Sequence, residues 1–234
     1  MRYRPPDYRD MPTEEFERKA RHNNYMRQIY DFPRTIIPHP SFEKFEEFWK
    51  NRCSRSNKVH VEIGCGSGGY LIQLAQNFPN DCFAGFELRY KRLVLAAKKI
   101  EKFDCANVLL LKDKGEYLGD YFGENSIDRI HVNFPDPWSK KAQKKHRLLN
   151  HDFFQKISVL LRPEGQFLFK TDHQEYFQWV LDLLKNFPNF QTIEATTHLQ
   201  QSSYYETNIQ TEFEKMFQFK SNPNIGYLKI QIYK

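Results

Sequence analysis

The chain has 234 residues, 40% apolar and 27% charged, and carries a net charge of +6. At roughly 100–200 residues per domain this is one domain with enough apolar material for a core, too charged for a membrane protein and too apolar for a disordered tail. No apolar run reaches the roughly 18–20 residues of a membrane helix, and Met1–Phe16 lacks the apolar centre of a secretion signal, so a cytoplasmic location is expected.

Residues 1–40 are polar and contain Pro5, Pro6, Pro12, Pro33, Pro38 and Pro40; they are expected to form an arm, with 41–234 a single domain. Thr13 and the glutamates after it predict a helix to about Tyr30. Ser41 predicts a cap for a helix with Phe42, Phe45, Phe48 and Trp49 on one face. From Lys58 short apolar strands alternate with helices. Strands are predicted at Val59–Ile63, Asp81–Phe86, Ala106–Leu111, Ile127–Asn133 and, after a turn at Arg162–Gly165, Gln166–Thr171. Helices are predicted at Gly69–Gln76, around Leu93–Ile100, from an Asn150 cap to Leu161, and over about His173–Asn186. The tail predicts strands at Thr192–Thr196, about Phe213–Phe219 and Tyr227–Tyr233. The pattern implies an α/β fold: a mostly parallel sheet with helices on both faces and an antiparallel hairpin at the C-terminal edge. Cys53, Cys65, Cys82 and Cys105 form no C-x-x-C pair and the eight histidines no H-x-x-x-H, so no metal is expected and the thiols are read as free.

The first strand runs into Glu62-Ile63-Gly64-Cys65-Gly66-Ser67-Gly68-Gly69. Glycines at Gly64, Gly66 and Gly68 permit a tight turn and close approach of a nucleotide-like ligand. Glu87 ends the second strand, where a carboxylate can accept hydrogen bonds from both ribose hydroxyls. The spacing also satisfies the dinucleotide fingerprint. Glu62 tilts the choice: beside the first glycine it suits a cationic methionine end and would repel a pyrophosphate.

Arg129–Trp138 is the most informative stretch. The fourth strand runs into Asn133-Phe134-Pro135-Asp136-Pro137-Trp138, and the two prolines stiffen the turn that carries Asp136. Asn133 offers an amide and Trp138 a flat apolar face. Ser139–Arg147 then holds Lys140, Lys141, Lys144, Lys145 and Arg147 with no acid. Such a run is commonly just a solvated face, but beside the Asp136 turn it points to phosphate contact.

These blocks, with Thr171-Asp172 and Thr211-Glu212-Phe213-Glu214, occur in the order found in the bacterial tRNA (guanine-N7)-methyltransferases, which the chain resembles over about residues 40–234. The resemblance implies a class I methyltransferase with a Rossmann-like sheet. Its implied reaction is S-adenosylmethionine-dependent methylation of guanine N7 in the tRNA variable loop, position 46 in tRNA convention. It implies cofactor contacts at Glu62, the glycine turn, Glu87, Asp113, Asn133 and Asp136, a catalytic role for Asp136, and tRNA contacts at Lys140, Asp172, Thr211 and Glu214. Asp172 is equally readable as a helix cap, and Thr211–Glu214 as a plain edge strand. Arg2, Arg4, Arg9 and Arg18 of the arm are expected to help grip the RNA. Ser139 stands where Pro or His is common, and Ala142-Gln143 where Arg-His often stands. Other functions compatible with the glycine loop are a methyltransferase for a different substrate, a NAD-dependent oxidoreductase and a catalytically silent RNA-binding module. Monomer and homodimer are both compatible with the sequence, and no membrane partner is expected.

Overall fold

The computed structural model describes residues 11–37, 42–53, 58–218 and 224–234. In chain order they form α1 (Thr13–Ala20), α2 (Tyr25–Gln28), a turn of 3-10 helix at Ile29–Asp31, β1 (Ile36–Ile37), α3 (Phe42–Arg52), β2 (Val59–Ile63), α4 (Gly69–Asn77), β3 (Cys82–Phe86), α5 (Tyr90–Lys102), β4 (Val108–Leu111) and β5 (Ile127–Asn133). A 3-10 segment at Lys141–His146, α6 (His151–Leu160), β6 (Leu161–Thr171), α7 (Gln174–Leu184), β7 (Phe190–Thr196), α8 (Glu212–Gln218) and β8 (Gly226–Ile232) follow, with further 3-10 turns at Gly115–Asp120, Leu199–Gln201 and Ser203–Tyr205. The strands form one sheet in the order β1-β4-β3-β2-β5-β6-β8-β7. The chain divides into two compact units, Met1–Asn57 with Ile63–Tyr117 and Lys58–Glu62 with Leu118–Lys234.

In the first unit β3 and β4 are parallel, and β1 adds to β4 in the same sense. Every residue of β3 and β4 is buried, as strands covered on both faces require. In α5, Leu93, Val94, Ala97 and Ile100 recur at helical spacing and are buried, while Lys99 and Lys102 face the negative end of the helix dipole. Cys53 at the end of α3 and Cys82 at the start of β3 are joined by a disulfide, with their Cα atoms 5.9 Å apart. This corrects the expectation of free thiols. The pairing depends on a tertiary approach that a spacing of 29 residues does not disclose. Cys65 and Cys105 are free and buried.

In the second unit β5 and β6 are parallel, and β8 and β7 follow as antiparallel strands. The expected hairpin is therefore present, with β8 inserted between β6 and β7. Strand β6 starts at Leu161, five residues before its predicted start. Arg162–Gly165, predicted as a turn, is absorbed as an irregularity opposite Ile127 and Arg129, with Glu164 at φ 63°. Asn150 caps α6 as predicted, its side-chain oxygen accepting a bond from the Phe153 N–H at 2.9 Å. The segment around Phe213–Phe219, predicted as a strand, is α8.

The helix predicted from Thr13 to about Tyr30 is broken at Arg21–Asn24 into α1, α2 and a 3-10 turn, and Met26, Ile29 and Ile36 are buried. Arg18 is exposed. Ser41, Arg2, Arg4 and Arg9 lie outside the described residues. Among the described residues, no helix is long and apolar enough to cross a membrane.

Candidate active site

The glycine turn lies in the first unit. Gly64, Gly66 and Gly68 have φ values of 78°, 58° and 78°, a region that side chains rarely tolerate. A Cβ on Gly68 would also sit 2.9 Å from the Ala96 Cβ of α5, so only glycine lets α4 start here. The amides of Gly64 and Cys65 donate to the Phe86 carbonyl at 2.8 and 3.0 Å, which ties the turn to the end of β3. Glu87 follows at once: its Oε2 accepts from the Gly66 N–H at 3.0 Å and its Oε1 from the Arg89 N–H at 2.7 Å. Each oxygen keeps a further lone pair for a hydroxyl donor. Phe86 pairs with Leu111 in parallel register, so Glu87 and Asp113 leave neighbouring strands at the same end. Asp113 is buried and accepts from the Lys114 N–H at 2.8 Å.

The remaining candidates belong to the second unit. Glu62, buried on β2, accepts from the Asn133 side-chain amide on β5 at 3.0 Å. The chain then enters the Asp136 turn. Phe134 and Trp138 bracket it with φ values of 50° and 44°, outliers for bulky residues. Strain of this kind, of order 1–3 kcal/mol per residue, persists where surrounding contacts over-determine the backbone. Several contacts do so here: the Phe134 N–H donates to the Lys170 carbonyl at 2.8 Å, Arg147 Nε donates to the Pro137 carbonyl at 2.9 Å, and the Phe134 and Trp138 rings lie 4.8 and 5.4 Å from those of Phe213 and His146. Asp136 itself is exposed at the tip.

Lys140 and Asp172 are both exposed. The cap of α7 is His173, whose Nδ1 accepts from the Tyr176 N–H at 3.1 Å, so Asp172 is not spent on that role. Thr211 and Glu214 are buried and lock each other in a capping box. Thr211 Oγ1 accepts from the Glu214 N–H at 3.0 Å, and Glu214 Oε2 accepts from the Thr211 N–H at 2.7 Å. The T-x-x-E spacing announces this motif and is the signal by which α8 could have been found in place of the predicted strand. Glu214 also takes bonds from Lys170 Nζ at 3.1 Å and the Asn208 amide at 2.9 Å. Lys170, missed from sequence, is 4% exposed, and burial pushes its ammonium down while Glu214 opposes that shift. Of the basic run, Lys141 and Lys145 are exposed and Lys144 pairs with Glu175. Arg147 is 1% exposed, so this member of the run does not face solvent.

Residues 56–226 match a family model described as "Putative methyltransferase". The chain is 33% identical over 186 residues to a tRNA (guanine-N(7)-)-methyltransferase of Enterococcus faecalis, covering 80% of this chain and 85% of that protein. It belongs to the tRNA (guanine-N7)-methyltransferase family. A bifunctional glycosyltransferase/methyltransferase of Fusobacterium nucleatum is 39% identical over 91% of this chain, which spans only 33% of that protein. Among solved structures, an antibiotic-related methyltransferase covers 83% of this chain and 94% of its own, with TM-score 0.59 and 19% identity. A Streptococcus mutans protein described as "a putative methyltransferase" in complex with SAH covers 81% and 96%, with TM-score 0.51 and 14% identity. These likenesses place the sheet in the class I methyltransferase fold.

Family members are methyltransferases, and the cofactor is S-adenosylmethionine. The residues present fit it. In the first unit the positive-φ turn offers backbone at close range, and Glu87 and Asp113 are buried carboxylates, a chemistry that suits a hydroxyl- and amine-bearing ligand.

Proposed function

We propose that the chain methylates N7 of a guanosine in the variable loop of tRNA, at position 46. The observation that carries this reading is the Asp136 turn: an exposed carboxylate held between two prolines, with positive-φ residues on both sides, followed directly by a lysine-rich 3-10 segment. The substrate named for the Enterococcus faecalis relative supports the choice of tRNA guanine.

S-adenosylmethionine supplies a methyl already activated on a sulfonium, and guanine N7 carries an in-plane lone pair, so no proton needs to leave first. The work left to the protein is alignment and charge stabilisation. The glycine turn, Glu62, Glu87, Asp113 and Asn133 would hold the cofactor, Glu87 by its ribose hydroxyls and Glu62 by its methionine end. Asp136 would stabilise the positive charge that grows on the purine as N7 takes the methyl and the sulfur keeps the electron pair of the broken S–CH3 bond, leaving as the neutral thioether. Asp172 and Lys140 meet the RNA. Thr211 and Glu214 set the start of α8 and orient the substrate side from within.

The test is transfer of a tritiated methyl group from S-adenosylmethionine to unmodified tRNA, followed by borohydride–aniline cleavage. Cleavage at position 46 is expected. Labelling of another position, or no incorporation, overturns the assignment.

A further inference from the structure

Arg147 has no place in the chemistry above, and its surroundings are unusual. It is among the largest fully buried side chains of the described residues. Nothing in its environment neutralises it well. The nearest carboxylate, Glu175, is 3.6 Å from Nη2, half exposed and already paired with Lys144. Neither Nη1 nor Nη2 makes a hydrogen bond. The guanidinium instead lies over two rings of α7, 4.7 Å from the centre of Tyr176 and 5.0 Å from that of Trp179. Its one directed bond runs from Nε to the Pro137 carbonyl at 2.9 Å.

A buried cation with so poor a counterion returns little stability. Apolar replacements of buried ionic groups are often neutral or stabilising. Such departures from good packing chemistry concentrate at functional sites. Guanidinium–ring contact adds to the Nε bond and the distant Glu175 carboxylate, and it favours one plane for the group. The ring end is anchored in turn, because the Tyr176 hydroxyl accepts from the Leu149 N–H at 3.1 Å. Helix α7 begins two residues after Asp172. One side chain therefore connects the turn that carries Asp136 to the helix that follows Asp172.

We infer that Arg147 is a positioning residue for methyl transfer: it fixes the Pro137 carbonyl, and with it the Asp136 turn, to α7. This rests on the role proposed for Asp136. Without the Arg147 bond the turn bracketed by the strained residues Phe134 and Trp138 loses one of its restraints, and the carboxylate at the tip is held less firmly. Misplacement by about 1 Å can cost on the order of a hundredfold in rate.

The experiment compares the full-length wild type, Arg147→Met and Asp136→Ala in single-turnover methylation of unmodified tRNA at saturating S-adenosylmethionine. Melting temperature, S-adenosylhomocysteine binding and the KM for tRNA are measured on each. Arg147→Met is expected to react about 10- to 100-fold more slowly, with melting temperature unchanged or raised and with cofactor affinity and KM retained. A merely structural residue would lower melting temperature and rate together. Should Arg147→Met melt early, Arg147→Ala is assayed with added methylguanidinium: recovered rate supports the inference and no recovery overturns it. A wild-type rate in Arg147→Met beside a slow Asp136→Ala overturns the inference alone. A wild-type rate in Asp136→Ala overturns the site reading beneath it.

Discussion

Two buried histidines predict a steep loss of stability in mild acid. His60 on β2 and His131 on β5 stack with ring centres 5.5 Å apart, and His60 Nδ1 lies 3.3 Å from His131 Nε2. Both are 1% exposed or less. Burial, and then the positive charges of Arg129 and Lys58, push His60 down to about 3. Burial first, then His60, Arg129 and Lys170, push His131 well below the usual value. The folded state therefore holds both rings neutral, while the unfolded chain takes up protons near pH 6.5. Stability is complete above that pH and falls as pH drops below it. At about 1.4 kcal/mol per unit, His60 alone costs about 2 kcal/mol at pH 5, and His131 adds to the loss in the same direction. For a chain of this size the His60 part alone is a fall in melting temperature of about 4–8 °C. Urea or thermal unfolding at pH 7 and pH 5 measures it. The variant carrying His60→Leu and His131→Leu is expected to lose far less between the two pH values. Equal losses in variant and wild type would refute the reasoning.

Other outcomes follow from single contacts. Lys170→Met leaves the Glu214 carboxylate buried without its cation and is expected to cost about 3–5 kcal/mol in urea unfolding, partly regained when Glu214→Leu is added. Reduction of the Cys53–Cys82 disulfide is expected to lower stability by about 3–4 kcal/mol from the entropy of a 29-residue loop, read as a shift in the urea midpoint with and without dithiothreitol. With Arg147 buried and Lys144 paired, Lys140, Lys141 and Lys145 are left to meet phosphate. The logarithm of the tRNA association constant is then expected to fall with log salt at a slope of about −2, flattened in the triple alanine variant.

The sequence discloses those parts of the fold that rest on local pattern. The runs Val59–Ile63 and Ala106–Leu111 read as strands of a covered sheet, and the strands found there, Val59–Ile63 and Val108–Leu111, are buried throughout. The glycine turn read correctly because positive φ leaves little choice of residue. Longer-range relations were hidden. The burial of Arg147 is set by Tyr176 and Trp179, some thirty positions later, and a charge run viewed by itself looks solvated. The Cys53–Cys82 bond and the two-residue strand β1 are products of tertiary approach. Helix α8 was different. Its capping box was in plain view, but the alternation of Glu212–Lys215 suggested a strand, and Lys170 beneath it gave no signal apart from a lysine following Phe167 and Phe169.

The most direct measurement is the single-turnover rate of methyl transfer to unmodified tRNA by Asp136→Ala, taken beside its affinity for S-adenosylmethionine. A carboxylate that stabilises the growing purine cation predicts a rate lower by about 10²–10³-fold, with cofactor binding weakened much less. A variant that transfers methyl at the wild-type rate would contradict the account.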